Sequence, residues 1–379
     1  MIYEIKKAFE ALLHPGINTN IFKIIRNAIP YYISPYLNVP SPLTIYWSIN
    51  SVCNLRCKMC DVGMGNENGT FYKNLRIDKK LHEIDIKIFK SVIDEVVDDK
   101  PFIAINSTEP LLYKHIIEAI QYCTDKGLKT ALTTGGYNLP KMAENLAKAG
   151  LKRLIVSIDG PSYVHNEIRG RKDSFERSIE GIRKFYEASQ KLGLKNEIYV
   201  NYVISNLNYQ YLTEFAESVK DLPITSLNYT YLWFISDEIA EEQNKQFGDC
   251  YPVTPSCFNE YINPYDVDID VLYKQIEQLK NKKNIHFLPY FSKKQLYKYY
   301  KQPNEFLVKN SRCFASWFIV QILANGNVIP YSRCHNRSLG NINEQSFKEI
   351  WNGKKIKEWR EFIKKYKKMP MCKRCDLIY

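Results

Sequence analysis

Three closely spaced cysteines, Cys53, Cys57 and Cys60, carry the strongest chemical signal in this sequence. Their C-x3-C-x2-C spacing places three thiolates on one short loop. Three soft sulfur ligands suit an iron–sulfur cluster or a zinc ion. A four-iron cubane held by three thiolates leaves one iron free to bind another molecule. Because structural zinc normally takes four ligands with paired C-x2-C spacing, the triad favours the cluster.

The elements around this triad predict where it lies in the fold. It follows an apolar, β-rich run over residues 43–49, so it stands at the C-terminal end of a strand, where α/β sheets place their active sites. Six strand-like runs alternate with five helical patterns up to residue 235, which requires parallel pairing and right-handed crossovers. The sequence therefore predicts an α/β fold with a partial (β/α)6, TIM-like barrel. The predicted strands are Leu43–Ile49, Phe102–Asn106, Lys129–Thr133, Leu154–Ile158, Glu197–Ile204 and Ser226–Tyr231, and the predicted helices are Ile86–Val97, Leu112–Asp125, Lys141–Ala149, Phe175–Leu192 and Tyr209–Leu222.

The chain divides into four predicted segments. They are N-terminal helices and a linker (1–42), the barrel (43–235), a connecting region (236–305) and a small C-terminal domain (306–379). Apolar stripes predict N-terminal helices over residues 2–13 and 21–29, the second ending at Pro30. The connecting region shows one helical pattern, Val267–Lys282. The C-terminal domain contains a predicted β-hairpin, 318–323 and 328–331, followed by a basic helix.

Composition limits the protein class. The 379 residues contain no run of 18 apolar residues and no signal-peptide pattern at the N-terminus, so we expect a cytoplasmic protein. Ten cysteines in such a chain indicate metal or redox chemistry rather than disulfides. Seven of them form two groups, Cys53, Cys57 and Cys60 and then Cys313, Cys334, Cys372 and Cys375.

The net charge of +12 is concentrated near the C-terminus, where Lys348 to Arg374 hold eleven Lys or Arg and three Glu. Such a face attracts phosphate, nucleic acid or anionic membranes, although a solvated helix is the simpler interpretation. No aromatic–basic interleaving or RNA-binding motif is present, so no nucleic-acid partner is expected. The apolar helices of residues 1–36 could pack on the main domain or make a peripheral membrane contact.

Polar motifs follow the next three predicted strands. The second strand ends in Asn106-Ser107-Thr108-Glu109-Pro110, and the third in Thr133-Thr134-Gly135-Gly136. The fourth ends in Ser157-Ile-Asp159-Gly160-Pro161, with Arg169-Gly170 further on. Alone, each motif is an ordinary turn or surface arginine. Their order after the cysteine loop argues against coincidence.

The cysteine loop and these strand-end motifs resemble the radical S-adenosylmethionine (radical SAM) enzymes over roughly residues 43–235. The resemblance implies that Cys53, Cys57 and Cys60 hold a [4Fe–4S] cluster whose open iron binds SAM through its amino and carboxylate groups. One electron then cleaves SAM to methionine and a 5′-deoxyadenosyl radical. A low-potential donor such as flavodoxin or ferredoxin would supply that electron.

The resemblance also assigns residues to the amino group and the adenine of SAM. Glu109 and the backbone at Ser107 and Thr108 would hold the amino group, although the family has two glycines at the latter positions. Thr134 stands where the family has Asn. Met59 replaces an aromatic residue near the adenine, and its polarizable side chain can pack there too.

The carboxylate of SAM is assigned to the fourth motif, which matches an S-x-D-G … R-G pattern of one branch of the family. Ser157 and Arg169 would contact the carboxylate, with Asp159 between them in the motif. An arginine suits this role because it can form a charge-assisted, bidentate pair.

The C-terminal cysteines resemble the SPASM/twitch auxiliary-cluster domains over residues 311–376. Their spacing, C-x20-C-x37-C-x2-C, can fully ligate one further [4Fe–4S] cluster. A full SPASM domain has seven cysteines and two clusters, so the resemblance implies the shorter kind with one cluster. A zinc knuckle is the alternative. With no open iron, the second cluster would transfer electrons, which favours oxidation or redox-neutral rearrangement.

Other catalytic groups have weaker signals. Cys250 and Cys257 are either ordinary free thiols or, as in some relatives, donors of a hydrogen atom to a substrate radical. A substrate oxidation also needs a base near the abstracted carbon. The candidates by position are Asp237, Glu238, Asp249, Asn201 and Tyr231.

Together these features predict a radical SAM oxidoreductase or isomerase. We expect a polar small-molecule substrate, anionic groups included, of the sugar, aminosugar, nucleotide-linked or lipid-headgroup kind. A peptide-modifying maturase is the alternative, less favoured because residues 1–42 are short and lack strands for a winged-helix peptide-recognition domain. A zinc-binding regulatory or scaffold protein is the alternative of another class.

Overall fold

A ten-stranded sheet forms the centre of the computed structural model, which describes residues 21–76, 78 and 80–378. The strand order is β10-β9-β8-β1-β2-β3-β4-β5-β6-β7. Strands β1 to β8 run parallel, and β9 pairs antiparallel with β8 and β10. The strands are β1 Thr44–Trp47, β2 Phe102–Ile105, β3 Thr130–Thr134, β4 Arg153–Ser157, β5 Glu197–Ile204, β6 Ser226–Tyr231, β7 Ile285–Leu288, β8 Ile319–Ile322, β9 Asn327–Ile329 and β10 Gly340–Asn341.

Helices connect the parallel strands, as the alternating pattern predicts. All five predicted barrel helices are present, with ends shifted by a few residues, so the mostly parallel α/β fold is confirmed. The predicted helix over residues 2–13 lies outside the described residues. The α-helices of the described chain are Ile21–Ile33, Asp61–Met64, Thr70–Leu75, Ile86–Val96, Ile116–Asp125, Leu139–Lys148, Ser162–Arg169, Ser174–Lys191, Leu212–Ser218, Asp237–Phe247, Ile269–Leu279, Lys293–Lys301, Ala315–Phe318, Phe347–Trp351 and Lys354–Tyr366.

Strand β1 lies in the middle of the sheet and determines where the cysteine loop begins. All four of its residues are buried, as in parallel sheets that are covered on both faces. Its last residue, Trp47, pairs with Ile105 of β2 on one side and Ile322 of β8 on the other. The loop that follows therefore leaves the sheet between the second strand and the C-terminal hairpin.

The region 236–305 is more regular than the sequence predicts. The predicted helix Val267–Lys282 is present as Ile269–Leu279, but the region holds two further α-helices that were not predicted, Asp237–Phe247 and Lys293–Lys301. It also holds β7, which continues the parallel sheet beyond β6. Only Phe287 of this four-residue strand is buried, so neither alternation nor a continuous apolar run marks it in the sequence.

The N-terminal helix also differs from its prediction, because it continues through Pro30 to Ile33. Proline inside a helix removes one backbone hydrogen bond. The helix is held nevertheless, since the Tyr31 ring packs on Phe314 and Trp317 with centroids 4.5 and 4.9 Å away. Asn27 adds hydrogen bonds from its amide to the carbonyls of Ser41 and Trp317.

The predicted C-terminal hairpin is confirmed as β8 and β9, but it does not stand apart from the barrel. Strand β8 pairs in parallel with β1, from Thr44 opposite Ile319 to Trp47 opposite Ile322. The C-terminal domain therefore shares one sheet with the barrel, and residues of β8 reach the same sheet edge as the cysteine loop. Among the helices of the described chain, none is long and apolar enough to cross a membrane.

Candidate active site and cysteine centres

The loop that carries Cys53, Cys57 and Cys60 is fixed against the end of helix Ser162–Arg169. The backbone N–H groups of Arg56 and Lys58 donate to the carbonyls of Arg169 and Ile168 at 3.2 and 2.9 Å. This helix ends at Arg169, and the next residue, Gly170, has a φ of 67° that favours glycine and would place a Cβ only 3.1 Å from Arg56. The end of the fourth βα unit thereby positions the cysteine loop.

The three thiols form a donor set that fits an iron–sulfur cluster. Burial raises the pKa of Cys53 to about 12 and that of Cys60 to about 11, so they are neutral thiols until a metal displaces the proton. Burial also raises the pKa of Cys57, against the opposing charge of Arg169. In the described ranges, no group of three or more His, Cys, Asp or Glu is arranged to hold a single metal ion.

Arg169 bridges the loop to the end of β4. Its Nη1 lies 3.5 Å from the Cys57 Sγ, and its Nη2 lies 2.5 Å from Asp159 Oδ2. Burial opposes the charge of Arg169, but Asp159 and Cys57 outweigh it and raise the pKa of the guanidinium. The Nε of Arg169 is buried and has no hydrogen-bond partner among the described residues. Arg169, the predicted ligand of the SAM carboxylate, therefore has one N–H group, at Nε, that no described residue accepts.

Asp159 is itself held from several sides. Its Oδ1 accepts from the Val203 backbone N–H at 3.0 Å, and its own N–H donates to Nδ1 of His165 at 3.0 Å. Burial keeps the pKa of His165 well below its ordinary value, so the ring is neutral with its proton on Nε2, facing the Ser174 hydroxyl. These contacts fix the carboxylate that orients Arg169.

Glu109 lies buried at the end of β2, as the motif predicts. Its carboxylate accepts hydrogen bonds from the Thr134 hydroxyl at 2.7 Å, the Gly135 N–H at 2.9 Å and the Leu111 N–H at 3.1 Å. Burial raises the pKa of Glu109 despite these donors. The structure therefore brings together Glu109 and Thr134, two residues predicted to face SAM.

Ser107 adopts a backbone conformation that favours glycine, with a φ of 90°. Its hydroxyl donates to Asn106 Oδ1 at 3.0 Å and contacts the hydroxyl of Ser48 at 2.9 Å. The amide of Gln321, on β8, donates to both serine hydroxyls at 2.8 Å. These contacts join the ends of β1, β2 and β8. Sequence reasoning missed Gln321 as a site residue, although it interrupts an otherwise apolar run.

The remaining predicted SAM contacts lie at the same edge of the sheet. Thr108 donates to the Asn50 carbonyl at 2.7 Å, and the Asn50 amide donates to the Glu109 carbonyl at 2.9 Å. Met59 is buried, and Ser157 is the last residue of β4. Asn50 is a second residue that sequence reasoning missed.

Cys257 reaches the cysteine loop through Asp61. The Cys257 N–H donates to Asp61 Oδ1 at 3.0 Å, and the Ser256 hydroxyl donates to Oδ2. Burial raises the pKa of both Asp61 and Cys257. Asp61 follows Cys60 directly, and this adjacency was its only sequence signal. In contrast, Cys250 and the candidate acids Asp237 and Asp249 are exposed side chains.

The four C-terminal cysteines gather around the end of the chain. Burial raises the pKa of Cys313 to about 12 and that of Cys372 to about 11. Burial and the neighbouring Cys372 and Cys313 thiols both raise the pKa of Cys334, and Cys375 behaves in the same way. Four thiols in one neighbourhood match a fully ligated cluster.

Arg374 anchors this cysteine site to the barrel. Its buried guanidinium donates to five backbone carbonyls, those of Lys298, Tyr299, Gln302, Glu305 and the adjacent Lys373. Lys298 and Tyr299 belong to helix Lys293–Lys301, and Gln302 follows this helix directly. The C-terminal site is thus held rigidly to the element that follows β7.

Arg333 lies beside the second cysteine site, and its charge also acts on Cys257. It precedes Cys334, lies 3.6 Å from the carboxylate of Asp376, and stands over the Trp233 ring at 5.9 Å. Its charge lowers the pKa of Cys257, against the larger effect of burial. The Arg333 side chain keeps about a third of its surface exposed (33%). A partly exposed cation therefore stands next to the second cysteine site.

Comparison with known proteins agrees with this geometry. The radical SAM superfamily model matches residues 47–219, and the SPASM model, an iron–sulfur cluster-binding domain, matches residues 313–376. A mostly parallel α/β sheet with cysteine sites in both matched regions defines an iron–sulfur enzyme that uses SAM. The chain carries a radical SAM domain over residues 47–219 and a SPASM domain over residues 313–376.

Individual relatives cover much of the chain. The AdoMet-dependent heme synthase of Methanosarcina barkeri is 26% identical over 326 residues, 83% of this chain and 84% of its own. The GTP 3′,8-cyclase of Helicobacter pylori (strain J99) is 31% identical over 198 residues, 51% of this chain and 56% of its own. Streptococcus suis SuiB bound to the precursor peptide SuiA matches with a TM-score of 0.61 and 16% identity, over 98% of this chain and 81% of that one. The shared fold thus extends over nearly the whole chain.

Proposed function

We propose that this radical SAM enzyme abstracts hydrogen from a polar small molecule and gives a dehydrogenated, epimerised or rearranged product. Cys53, Cys57 and Cys60 hold the first [4Fe–4S] cluster in this proposal. The second is ligated by Cys313, Cys334, Cys372 and Cys375. With both clusters and SAM bound, the site supplies a 5′-deoxyadenosyl radical and a route for one electron.

The residues of the strand ends bind and orient SAM in this proposal. The buried Glu109 carboxylate accepts from the amino group, and Thr134 and the Gly135 N–H keep the carboxylate in place. Arg169 donates to the SAM carboxylate, with its direction set by Asp159. Met59 packs against the adenine, Ser157 joins the carboxylate contacts, and the backbone at Ser107 and Thr108 completes the amino-group site.

One observation supports the proposal most directly: charged groups lie beside both cysteine sites. The Cys257 backbone N–H donates to Asp61, the neighbour of Cys60, the charge of Arg333 acts on the Cys257 thiol, and Arg333 lies 3.6 Å from Asp376, the neighbour of Cys375. A substrate in this region would lie within reach of both clusters. We expect its anionic group to pair with the partly exposed Arg333 guanidinium.

Cys257 has a defined role if the product is an epimer. Its thiol gives a hydrogen atom to the substrate radical and becomes a thiyl radical, which one electron and one proton restore. If the product is dehydrogenated, the substrate radical loses one electron to the auxiliary site and one proton to a base. Cys257 then takes no part in the reaction, so its substitution separates the two outcomes.

Anaerobic reconstitution followed by turnover tests this function. The protein should be brown, hold about eight irons per chain, and release 5′-deoxyadenosine from SAM with flavodoxin or dithionite as reductant. A colourless zinc form without SAM cleavage would contradict the proposal. Substrates are then screened as aminosugars, nucleotide-linked sugars, lipid headgroups and peptides, by following deuterium from labelled substrate into 5′-deoxyadenosine.

The variant Cys257→Ala tests the hydrogen donor, with the exposed Cys250→Ala as its matched control. Loss of the epimer in the first variant alone, at an unchanged rate of 5′-deoxyadenosine formation, assigns the donor to Cys257. An unchanged product in both variants would remove Cys257 from the mechanism.

A further inference from the structure

Helix Ile21–Ile33 has apolar side chains on two sides. Its inner side, which includes Ile24, Ala28 and Tyr31, is buried. Tyr31 packs on Phe314 and Trp317, so this side fixes the helix to the C-terminal domain. The other side keeps much of its apolar surface exposed.

The second side is an exposed apolar surface, here called the outer face. Ile25, Ile29 and Ile33 lie four residues apart on one side of the helix and are 40, 46 and 68% exposed. Exposed Tyr36 and Leu37 extend the surface past the helix end. Eight of the exposed large apolar residues of the described chain fall in this one segment, which marks an interaction site. The outer face comprises Ile21, Phe22, Ile25, Ile29, Tyr32, Ile33, Tyr36 and Leu37.

A basic helix lies directly beside the outer face. In helix Lys354–Tyr366, the Lys364 ammonium lies 3.4 and 3.5 Å from the carbonyls of Tyr32 and Ile33. The Lys357 ammonium donates to Asn38 at 2.9 Å, and Tyr36 donates to Glu361. These contacts place the lysine-rich helix along the end of the apolar surface.

The lysines of this helix remain available to solvent. Lys354, Lys355 and Lys365 are exposed, and the Lys354 side chain keeps 90% of its surface. Lys367 is also exposed just past the helix end. Two glutamates, Glu358 and Glu361, offset only part of this charge. The surface therefore combines an apolar stripe with a cationic border.

We propose that the outer face and its basic border dock this protein on an anionic lipid surface. An apolar helix face with flanking lysines is the arrangement of interfacial helices, which bury apolar side chains at the headgroup level while cations pair with anionic lipids. A second protein copy would bring like charges together at the same border, which disfavours it as the occupant. The proposal goes beyond the catalytic one and does not depend on it.

Vesicle flotation of the full, reconstituted chain tests the proposal. We expect binding to phosphatidylserine-containing vesicles, little binding to pure phosphatidylcholine, and weaker binding as salt rises. The triple variant Ile25→Ser, Ile29→Ser, Ile33→Ser should bind at least tenfold more weakly. The variant Lys354→Glu, Lys355→Glu, Lys365→Glu should lose the preference for anionic vesicles.

The control carries three serines at exposed apolar positions elsewhere, Leu81→Ser, Leu192→Ser and Val271→Ser, and should bind like the parent. Iron content and circular dichroism establish that each variant is folded. Absence of vesicle binding by the full chain overturns the proposal, as does equal binding by the isoleucine triple variant. Tighter binding by a Phe9→Asp, Leu12→Asp variant would show that residues 1–20 compete with the vesicle for the outer face, and vesicle binding by that variant alone would overturn docking by the parent chain. A concentration-dependent dimer that the isoleucine variant abolishes would assign it to a second copy.

Discussion

Arg169 and Asp159 form a buried ion pair, with Nη2 and Oδ2 2.5 Å apart, at the point where the guanidinium also meets the Cys57 thiol. A buried pair is costly to break from one side only, because the remaining charge loses its partner inside the protein. The pair therefore links the stability of the barrel to the position of a predicted SAM ligand.

The first prediction concerns this pair. Asp159→Asn should destabilise the protein by about 3–5 kcal/mol, because it leaves the Arg169 charge buried without its partner. Arg169→Gln should cost a similar amount for the opposite reason. Urea unfolding of both variants measures the loss. We also expect Arg169→Gln to weaken SAM binding in calorimetry with the reconstituted enzyme.

A double-mutant cycle supplies the control for the pair. The variant that carries both Asp159→Asn and Arg169→Gln should be more stable than the sum of the single losses indicates, since no charge remains unpaired. Strict additivity would show that the two side chains do not stabilise each other. SAM binding unchanged in Arg169→Gln would exclude this residue as a carboxylate ligand.

The second prediction is a pH dependence of SAM binding through Glu109. Because burial raises its pKa, the folded state binds the proton more tightly than the unfolded state does. The tighter proton binding of Glu109 stabilises the folded state fully at pH values below the ordinary glutamate pKa. This stabilisation is lost as pH rises through the raised pKa of Glu109. The SAM ammonium favours the ionised form, so SAM affinity should fall as pH is lowered through that value.

Glu109→Gln tests the assignment, since it keeps the shape and removes the charge. The loss of a charged hydrogen bond, about 1.5–3 kcal/mol, should weaken SAM binding roughly ten- to a hundredfold and abolish its pH dependence. Thr134→Val is the matched control, because it removes a donor to Glu109 and keeps the carboxylate. An equal pH dependence in Glu109→Gln would show that another group titrates.

The barrel and the order of its site motifs could be predicted because they rest on strong periodicities. Strands buried on both faces, such as β1, read as continuous apolar runs, and each ends in a polar motif. Glu109 and Thr134 lie at the carboxyl ends of neighbouring parallel strands, so their side chains are expected at the same edge of the sheet. The Thr134 hydroxyl donates to Glu109 Oε1 at 2.7 Å.

The remaining features depend on contacts between distant parts of the chain. Gln321 meets Ser107 only because β8 pairs with β1, and a single glutamine in an apolar run does not reveal that pairing. Asp61 is recognisable as a site residue only once Ser256 and Cys257 close on it. Strand β7 escapes prediction because its four residues carry one buried side chain.

The third prediction uses the unusual backbone of Ser107. A φ of 90° strains the backbone of any residue that has a side chain, whereas glycine adopts it without strain. Ser107→Ala and Ser107→Gly both lose the hydroxyl contacts to Ser48 and Gln321, so they differ mainly in backbone strain and chain entropy. The glycine variant should be the more stable by about 1 kcal/mol, the reverse of the usual order. Chemical unfolding of the two variants measures the difference, and a more stable alanine variant would contradict the assigned conformation.

The fourth prediction separates the two clusters by iron content. Cys372→Ala should lower the iron of the reconstituted protein from about eight to about four per chain, because it removes one of the four thiols that fully ligate the second cluster. Cleavage of SAM should continue, since the first cluster keeps Cys53, Cys57 and Cys60, whereas formation of oxidised product should fall at least tenfold.

The reciprocal variant, Cys57→Ala, should abolish SAM cleavage and keep about four irons. The exposed Cys250→Ala, which should retain full iron content and activity, controls for the loss of any cysteine. Full iron content in Cys372→Ala would show that this thiol ligates no cluster, and unchanged product formation without the second cluster would remove electron transfer from its role.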